Sequence, residues 1–315
     1  MQVLITTDVE LWPRGWDLSS REMTRAFQQY IHGRTARGAF GLSYQLEQMS
    51  AHGLRGVFFV EPLFASVLGH GALEEVVGLI RDAGQEVQLH LHTEWMGRAG
   101  LSELPGPPRM SMRELDEKEQ ARLLGMGRRW LEEAGAPPVT AFRAGAYGAD
   151  LATLRALRRV GIGMDSSHNL AGSRGPLAAD LDDIPCELEG VLEVPQTVYL
   201  DAFGRLRHAQ VGSSSLGELE VTLAQASAHG RQVYVVLSHS AELLTDDRER
   251  PDRIAVRRFE QLCKHLADHR KTLPTAGFNE VSDAVGQTLA PPDRLAVGVI
   301  QTMRRYGEQA ARRVL

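Results

Sequence analysis

The chain has 315 residues, 43% of them hydrophobic and 24% charged, with a formal net charge of −5 at pH 7. That is enough apolar material for a large buried core, which excludes a small cross-linked scaffold, and the mild acidity argues against nucleic-acid binding, which needs a basic stripe. Cys186 and Cys263 are the only cysteines and form no Cys-x-x-Cys pair, so neither a disulfide framework nor a cysteine zinc knuckle is indicated. The first residues lack a basic segment followed by an apolar leader core, and no apolar run reaches membrane-spanning length. A cytoplasmic protein without stable membrane insertion is expected.

In chain order, Val3, Ile5 and Thr7 alternate with Leu4, Thr6, Asp8 and Glu10, the period of a strand, which turns Asp8 and Glu10 to one side. Carboxylates that close raise one another's pKa unless a cation sits between them. The pair therefore suits a metal ligand with an adjacent base, a strained acid/base couple, or two solvated acids. Leu42, Leu46 and Met49 predict a helix stopping at His52-Gly53, and Gly56–Val60 reads as a strand buried on both faces. The order repeats: Leu73, Val76, Val77 and Ile80 predict a helix ending at Ala83-Gly84, followed by a strand from Glu86 to His90. Alternating helix and strand predicts a parallel sheet.

His90 and His92 share the polar face of that strand and Glu94 lies four residues past His90, all with side chains that ligate a metal such as zinc; a hydrogen-bonded His pair is the alternative. The segment with Pro105, Pro107 and Pro108 is expected to cross the surface and shape a groove. Ser111-x-x-Glu114 predicts a capping box for the helix carrying Leu115, Leu123, Met126 and Trp130. Val139–Gly148 predicts a strand delivering Arg143 and Tyr147 into a glycine-containing loop, Ile162–Asp165 a further strand end, and Val191–Val194 a strand stopped by Pro195. Leu219, Leu223 and Ala226 mark a helix, and Val233–Leu237 is the strongest buried-strand signal, ending at His239. A helix with Phe259, Leu262 and Leu266 leads to a short segment around Phe278. From Pro291 a single appended helix is predicted, with Arg304, Arg305, Arg312 and Arg313 interleaved with Leu295, Val299, Met303 and Tyr306. Its expected use is packing on the body of the chain or on a second subunit, as in a homo-oligomer.

Functional residues of parallel strand-helix folds gather at the carboxyl ends of strands, where this chain offers Asp8, Glu10, His90, Arg143, Asp165 and His239. So assembled, it resembles the polysaccharide deacetylase family, the enzymes sharing the chitooligosaccharide deacetylase homology domain, over about residues 1–285. Ile5–Glu10 is similar to the family's first signature, whose two carboxylates serve as general base and metal ligand. Glu86–Glu94 resembles the second, with two metal ligands four residues apart. Phe142–Gly148 resembles the third, which supplies an arginine orienting the base and a groove wall. Asp165-Ser-Ser resembles the fourth, and Val235–His239 the fifth, whose histidine is the general acid. In this chain a residue separates the two acids of the first signature, and Glu94 stands where the second ligand histidine is usual.

The resemblance implies an α/β fold, a distorted (β/α)7-type barrel over residues 1–285 with a C-terminal helical extension over 286–315. It implies Asp8 as base, Arg143 as its orienting partner and His239 as acid. Glu10 and His90, with either His92 or Glu94, would ligate a divalent ion, zinc first and cobalt or nickel as alternatives. Exchange of the roles of Asp8 and Glu10 fits the same pattern. Tyr147, Asp165 and Trp95 fall to substrate binding, with a backbone N–H near Tyr147 at the oxyanion. The implied activity is metal-dependent hydrolysis of an N-acyl, above all N-acetyl, group on an amino sugar or glycan intermediate. For a cytoplasmic protein the expected substrate is a nucleotide sugar, a glycan-assembly intermediate or a lipid-linked precursor. Hydrolysis of a non-sugar amide, allantoinase-like or deformylase-like, and an inactive glycan-binding protein are the alternatives.

Overall fold

The computed structural model describes residues 1–12, 19–99, 109–281 and 293–314. Its centre is an eight-stranded sheet in the order Val233–His239, Gln2–Val9, Gly56–Val60, Glu86–Leu91, Ala141–Ala144, Met164–Asp165, Val191–Glu193, Cys186–Leu188. All neighbours run parallel except the last two, a short antiparallel hairpin. The sheet curls, and its two outer strands do not pair with one another. Other bonds cross the gap: Leu237 N–H donates to the Ala209 carbonyl at 2.8 Å and Ala209 N–H to the Thr197 carbonyl at 2.9 Å, Val235 N–H donates to Thr197 Oγ1 at 2.8 Å, and the buried Arg231–Asp183 pair closes at 2.8 Å. This is the distorted (β/α) barrel expected. The distortion falls where the strand-helix alternation fails, since no helix occurs between Asp165 and the hairpin.

The two-residue period of each strand divides the core. Val3, Ile5 and Val9 face outward into a large apolar layer shared with the helices, while Leu4, Val57, Phe59, Ala141, Val233 and Val235 face inward onto Ala276 and Phe278. Each fully buried Leu or Phe contributes roughly 1.5–3 kcal/mol, so the inner cluster is a strong apolar floor. Phe278 meets Phe59 edge-on, their centroids 5.3 Å apart, and the Arg143 guanidinium lies over the other part of that stack, 4.2 Å from the Phe59 centroid. From there towards the carboxyl ends of the strands the interior turns polar.

Several helices match the sequence reading: Leu42–Ala51 ends beside Gly53 at φ 64, and His70–Asp82 beside Gly84 at φ 69. Others depart from it. The helix Glu117–Glu133 starts later than Ser111-x-x-Glu114 suggests; Ser111 caps only the short 3-10 turn Met112–Glu114, and the capping box of the long helix is Asp116 with Glu119. The helix Ser20–Tyr30 was not anticipated, although Ser19 and Glu22 form a capping box and Met23, Ala26 and Phe27 supply its buried stripe. The segment at Phe278 is a 3-10 turn that plugs the barrel. The proline segment 101–108 and the boundary at 285/286 lie outside the described residues.

The tail also departs from a single helix. Leu295–Ala296 is a strand, joining Val198–Leu200 and Leu206–His208 in a separate three-stranded sheet, and the helix runs from Val299 to Val314. It packs on the body of the chain through an arginine. Arg305 is buried between the fully buried Asp201 and Glu218, at 2.8 and 2.9 Å, while Val299, Ile300 and Met303 are exposed. Two buried acids demand a cation more strongly than an apolar side chain demands cover, since breaking such a pair costs about 3–5 kcal/mol. No helix among the described residues is long and apolar enough to cross a membrane.

Candidate metal centre and active site

Strand register sets the site. Asp8 stands opposite His239 on one neighbouring strand, and His90 stands opposite Arg143 on another. Alternation points Asp8 and Glu10, and likewise His90 and His92, into the barrel mouth, where they line a cleft of about 500 Å³. Among the described residues, Glu10, His90 and His92 form a group whose ligand atoms all lie within 4.8 Å of one another.

The outer partners of these rings decide which nitrogen faces the centre. His90 Nδ1 lies 2.8 Å from the Arg143 carbonyl, to which it donates, leaving Nε2 turned to Glu10 Oε2 at 3.3 Å. His92 offers Nε2 to the same oxygen at 2.7 Å while its Nδ1 faces Glu94 Oε2 at 3.3 Å. Glu94 therefore sits behind His92, where it orients the ring, and the converging set is two imidazoles and one carboxylate. That donor set fits a divalent ion of the zinc type, with positions left open for water and substrate. Burial alone would raise the Glu10 carboxyl, but the charge of His92 and hydrogen bonds from both rings hold it well below the usual range. Burial works against the His92 imidazolium, yet Glu10 and Glu94 outweigh it and raise its pKa to about 10. Gly145 is required where the next strand passes this ring, since a Cβ there would approach the His92 ring atoms to 2.6 Å.

Two ion pairs flank the triad. Arg143, with no exposed surface, donates to Asp8 Oδ1 at 2.6 Å and to Thr6 Oγ1 at 3.1 Å. Its remaining donors go to the carbonyl and hydroxyl of Ser166, at 3.3 and 3.2 Å. On the other side, His239 Nδ1 bonds Glu242 Oε2 at 2.6 Å, and its Nε2 faces Glu10 Oε1 from 4.0 Å. Burial opposes the charged imidazole, but the Glu242 hydrogen bond and charge carry its pKa up to about 9.

Tyr147 lines the cleft as expected, delivered by a turn in which Ala146 and Tyr147 both take left-handed φ, 49 and 58. Asp165 and Trp95 do not line it. Asp165 is fully buried with Ser167 Oγ at 2.7 Å and Glu193 beside it, and its Asp-Ser-Ser segment serves the site only through the hold of Ser166 on Arg143. Trp95 opens the short helix Trp95–Ala99 and is fully buried in the outer apolar layer. Sequence reasoning missed Trp12, whose ring meets His92 edge-on at 4.8 Å, and with it Tyr30, Gln210, Glu242, Arg248 and Arg312 of the wall. These come from loops and helix ends, where no periodicity signals a direction. It also missed Glu61, buried beside the triad, which loss of solvent raises to about 8.

With this geometry in hand, comparison with solved structures gives the fold class. A Mycobacterium smegmatis protein assigned to the polysaccharide deacetylases superposes with a TM-score of 0.50 at 18% identity, over 93% of this chain and 94% of that one. The 4-alpha-glucanotransferase of Thermococcus litoralis reaches 0.51 at 9% identity, over 94% of this chain and 39% of that one. A family 4 carbohydrate esterase from Streptomyces lividans scores 0.44 at 15% identity, over 92% and 97%. No family model and no curated protein sequence matches the chain. The barrel is thus the fold found in a polysaccharide deacetylase, at low sequence identity. The glucanotransferase shares that barrel and bears a name for different chemistry, so the reaction has to be argued from the site.

Proposed function

We propose that the protein hydrolyses an N-acyl group, N-acetyl foremost, on an amino sugar, with a divalent ion held by Glu10, His90 and His92. The observation that carries this reading is the convergence of those three ligands between an arginine-held aspartate and a glutamate-held histidine at the floor of one cleft. An ion bound there supplies polarisation of the amide carbonyl and acidification of a water molecule. Asp8 takes the proton of the attacking water; Arg143 engages its Oδ1 and leaves the second oxygen for the transfer. His239, charged through Glu242, then gives a proton from Nε2 to the departing amine, so one proton is accepted and one returned per turnover. Tyr147 and Trp12, both lining the cleft, position the sugar.

The test is a calorimetric titration of zinc, then cobalt and nickel, into chelator-stripped protein, with His90→Ala alongside. Binding near one ion per chain, lost in the variant, is expected, followed by amine release from N-acetylated sugars in preference to formylated amines. Wild type that binds no ion specifically, yet binds carbohydrate, would replace this reading with that of a glycan-binding protein.

A further inference from the structure

The acids of the cleft wall are mostly answered by cations: Asp8 by Arg143, Glu242 by His239, and Glu10 by the two imidazoles. Asp246 shares the wall. Of the two arginines that line it, Arg312 is engaged by Asp252 and by the Gly212 carbonyl. Arg248 is different. Among the described residues no carboxylate lies within ion-pair distance of it; its Nε is buried without a hydrogen-bond partner, and one terminal nitrogen reaches only the Thr245 carbonyl at 3.3 Å. Its guanidinium lies 5.3 Å from the centroid of the Tyr30 ring, which orients the planar fork without neutralising it.

The backbone holds Arg248 in place at a cost. It has φ 62, in the left-handed region, within a tight loop closed by Arg248 N–H to the Thr245 carbonyl at 2.8 Å and Thr245 N–H to the Arg250 carbonyl at 2.9 Å. A long side chain kept where glycine would be easier marks a position whose side chain is used. Within the loop Asp247 accepts hydrogen bonds from Thr245 Oγ1 at 2.6 Å and from Glu249 N–H at 3.0 Å. A smaller pocket of about 160 Å³ is lined by Arg37, Arg250, Arg253 and Arg312 with Asp252 among them, while Arg248 itself also lines a second pocket with Glu22, Arg25, Asp247 and Glu249.

We propose that Arg248 is the anion-binding residue of the cleft, and that the acylated sugar it admits carries a phosphoryl or carboxylate group. This rests on the hydrolase reading above and names its substrate class. The fork of an arginine pairs with either anion through two parallel hydrogen bonds, while the amide end of the same molecule lies over the triad.

Amine release from zinc-supplemented protein would be compared for N-acetylglucosamine, its 1-phosphate and N-acetylmuramic acid, with calorimetric binding of the 1-phosphate measured beside it. Wild type is expected to favour an anionic sugar over the neutral one by about tenfold or more in kcat/KM, the scale of a charged hydrogen bond. Preference for the 1-phosphate alone identifies a phosphoryl group; preference for the muramic acid alone identifies a carboxylate. Arg248→Gly, which suits the positive φ, should bring the ratio near one, and Arg248→Lys should fall between. Equal kcat/KM for charged and neutral sugars in wild type, or a preference that survives Arg248→Gly, overturns the proposal while leaving the hydrolase intact. If nothing is deacylated, Arg248-dependent binding of the 1-phosphate still supports the anion site and removes the hydrolase; the absence of both removes the two together.

Discussion

Two carboxylate pairs stand at strand ends of this barrel and come to opposite ends. Asp8 and Glu10 face the open cleft, each answered by a cation: Arg143 for one, the two histidines for the other. Asp165 and Glu193 are register partners on adjacent strands, wholly buried, with only hydroxyl and backbone donors around them: Ser167 Oγ at 2.7 Å on Asp165 and His168 N–H at 3.0 Å on Glu193. Burial, and then the charge of Asp165, pushes Glu193 well above the usual carboxylate range, and burial raises Asp165 as well. That is the behaviour of two acids sharing a proton. A carboxylate at a strand end becomes chemically useful only where a cation and open space reach it; otherwise it is a hydrogen-bonded seam.

The contrast can be broken at its sharpest point by amidating each pair. Asp8→Asn should lower turnover by about 10²–10⁴-fold, the usual contribution of a positioned base, while Asp165→Asn retains turnover per folded molecule; equal losses in a steady-state assay would erase the distinction. A smaller effect is expected at Glu242. With His239 raised to about 9, activity should fall as pH rises through that value. Glu242→Gln should move this alkaline limb towards the ordinary imidazole range and cost about tenfold at pH 8, which a pH–rate profile reads directly. The smallest effect concerns stability. A carboxyl raised in the folded state stabilises fully below its unfolded pKa, and the contribution is lost as pH rises through the folded value. Chemical denaturation should therefore show the buried pair weakening the protein as pH climbs above the carboxylate range, and Glu193→Gln should flatten that slope. An unchanged slope would mean the pair carries no shared proton.

The same contrast marks what the sequence could reveal. Period-two alternation was sufficient to put Asp8 with Glu10 and His90 with His92, because a strand leaves a side chain only two directions. It could not say which strand ends open onto the cleft, and so Asp165 was counted with Asp8 among the site residues. Nor could it say that His92, rather than Glu94, converges on Glu10 and His90; the chain enters the helix Trp95–Ala99 directly after Glu94, whose carboxylate faces Nδ1 of the His92 ring. Trp12 and Arg248 come from segments without a period, and the burial of Arg305 in the Val299–Val314 helix depends on Asp201 and Glu218, acids supplied by distant elements.

The register of Gln2–Val9 against Val233–His239 also sets an order in time. Any length of chain that lacks the later strand leaves the first with one edge bare, and parallel pairing across more than two hundred residues is slow to find. Asp8 and His239 come face to face only through that pairing, so the working cleft is expected among the last features to form during folding. A chain trapped short of that step would hold a nearly complete hydrophobic layer beside an unpaired strand, the form most exposed to aggregation.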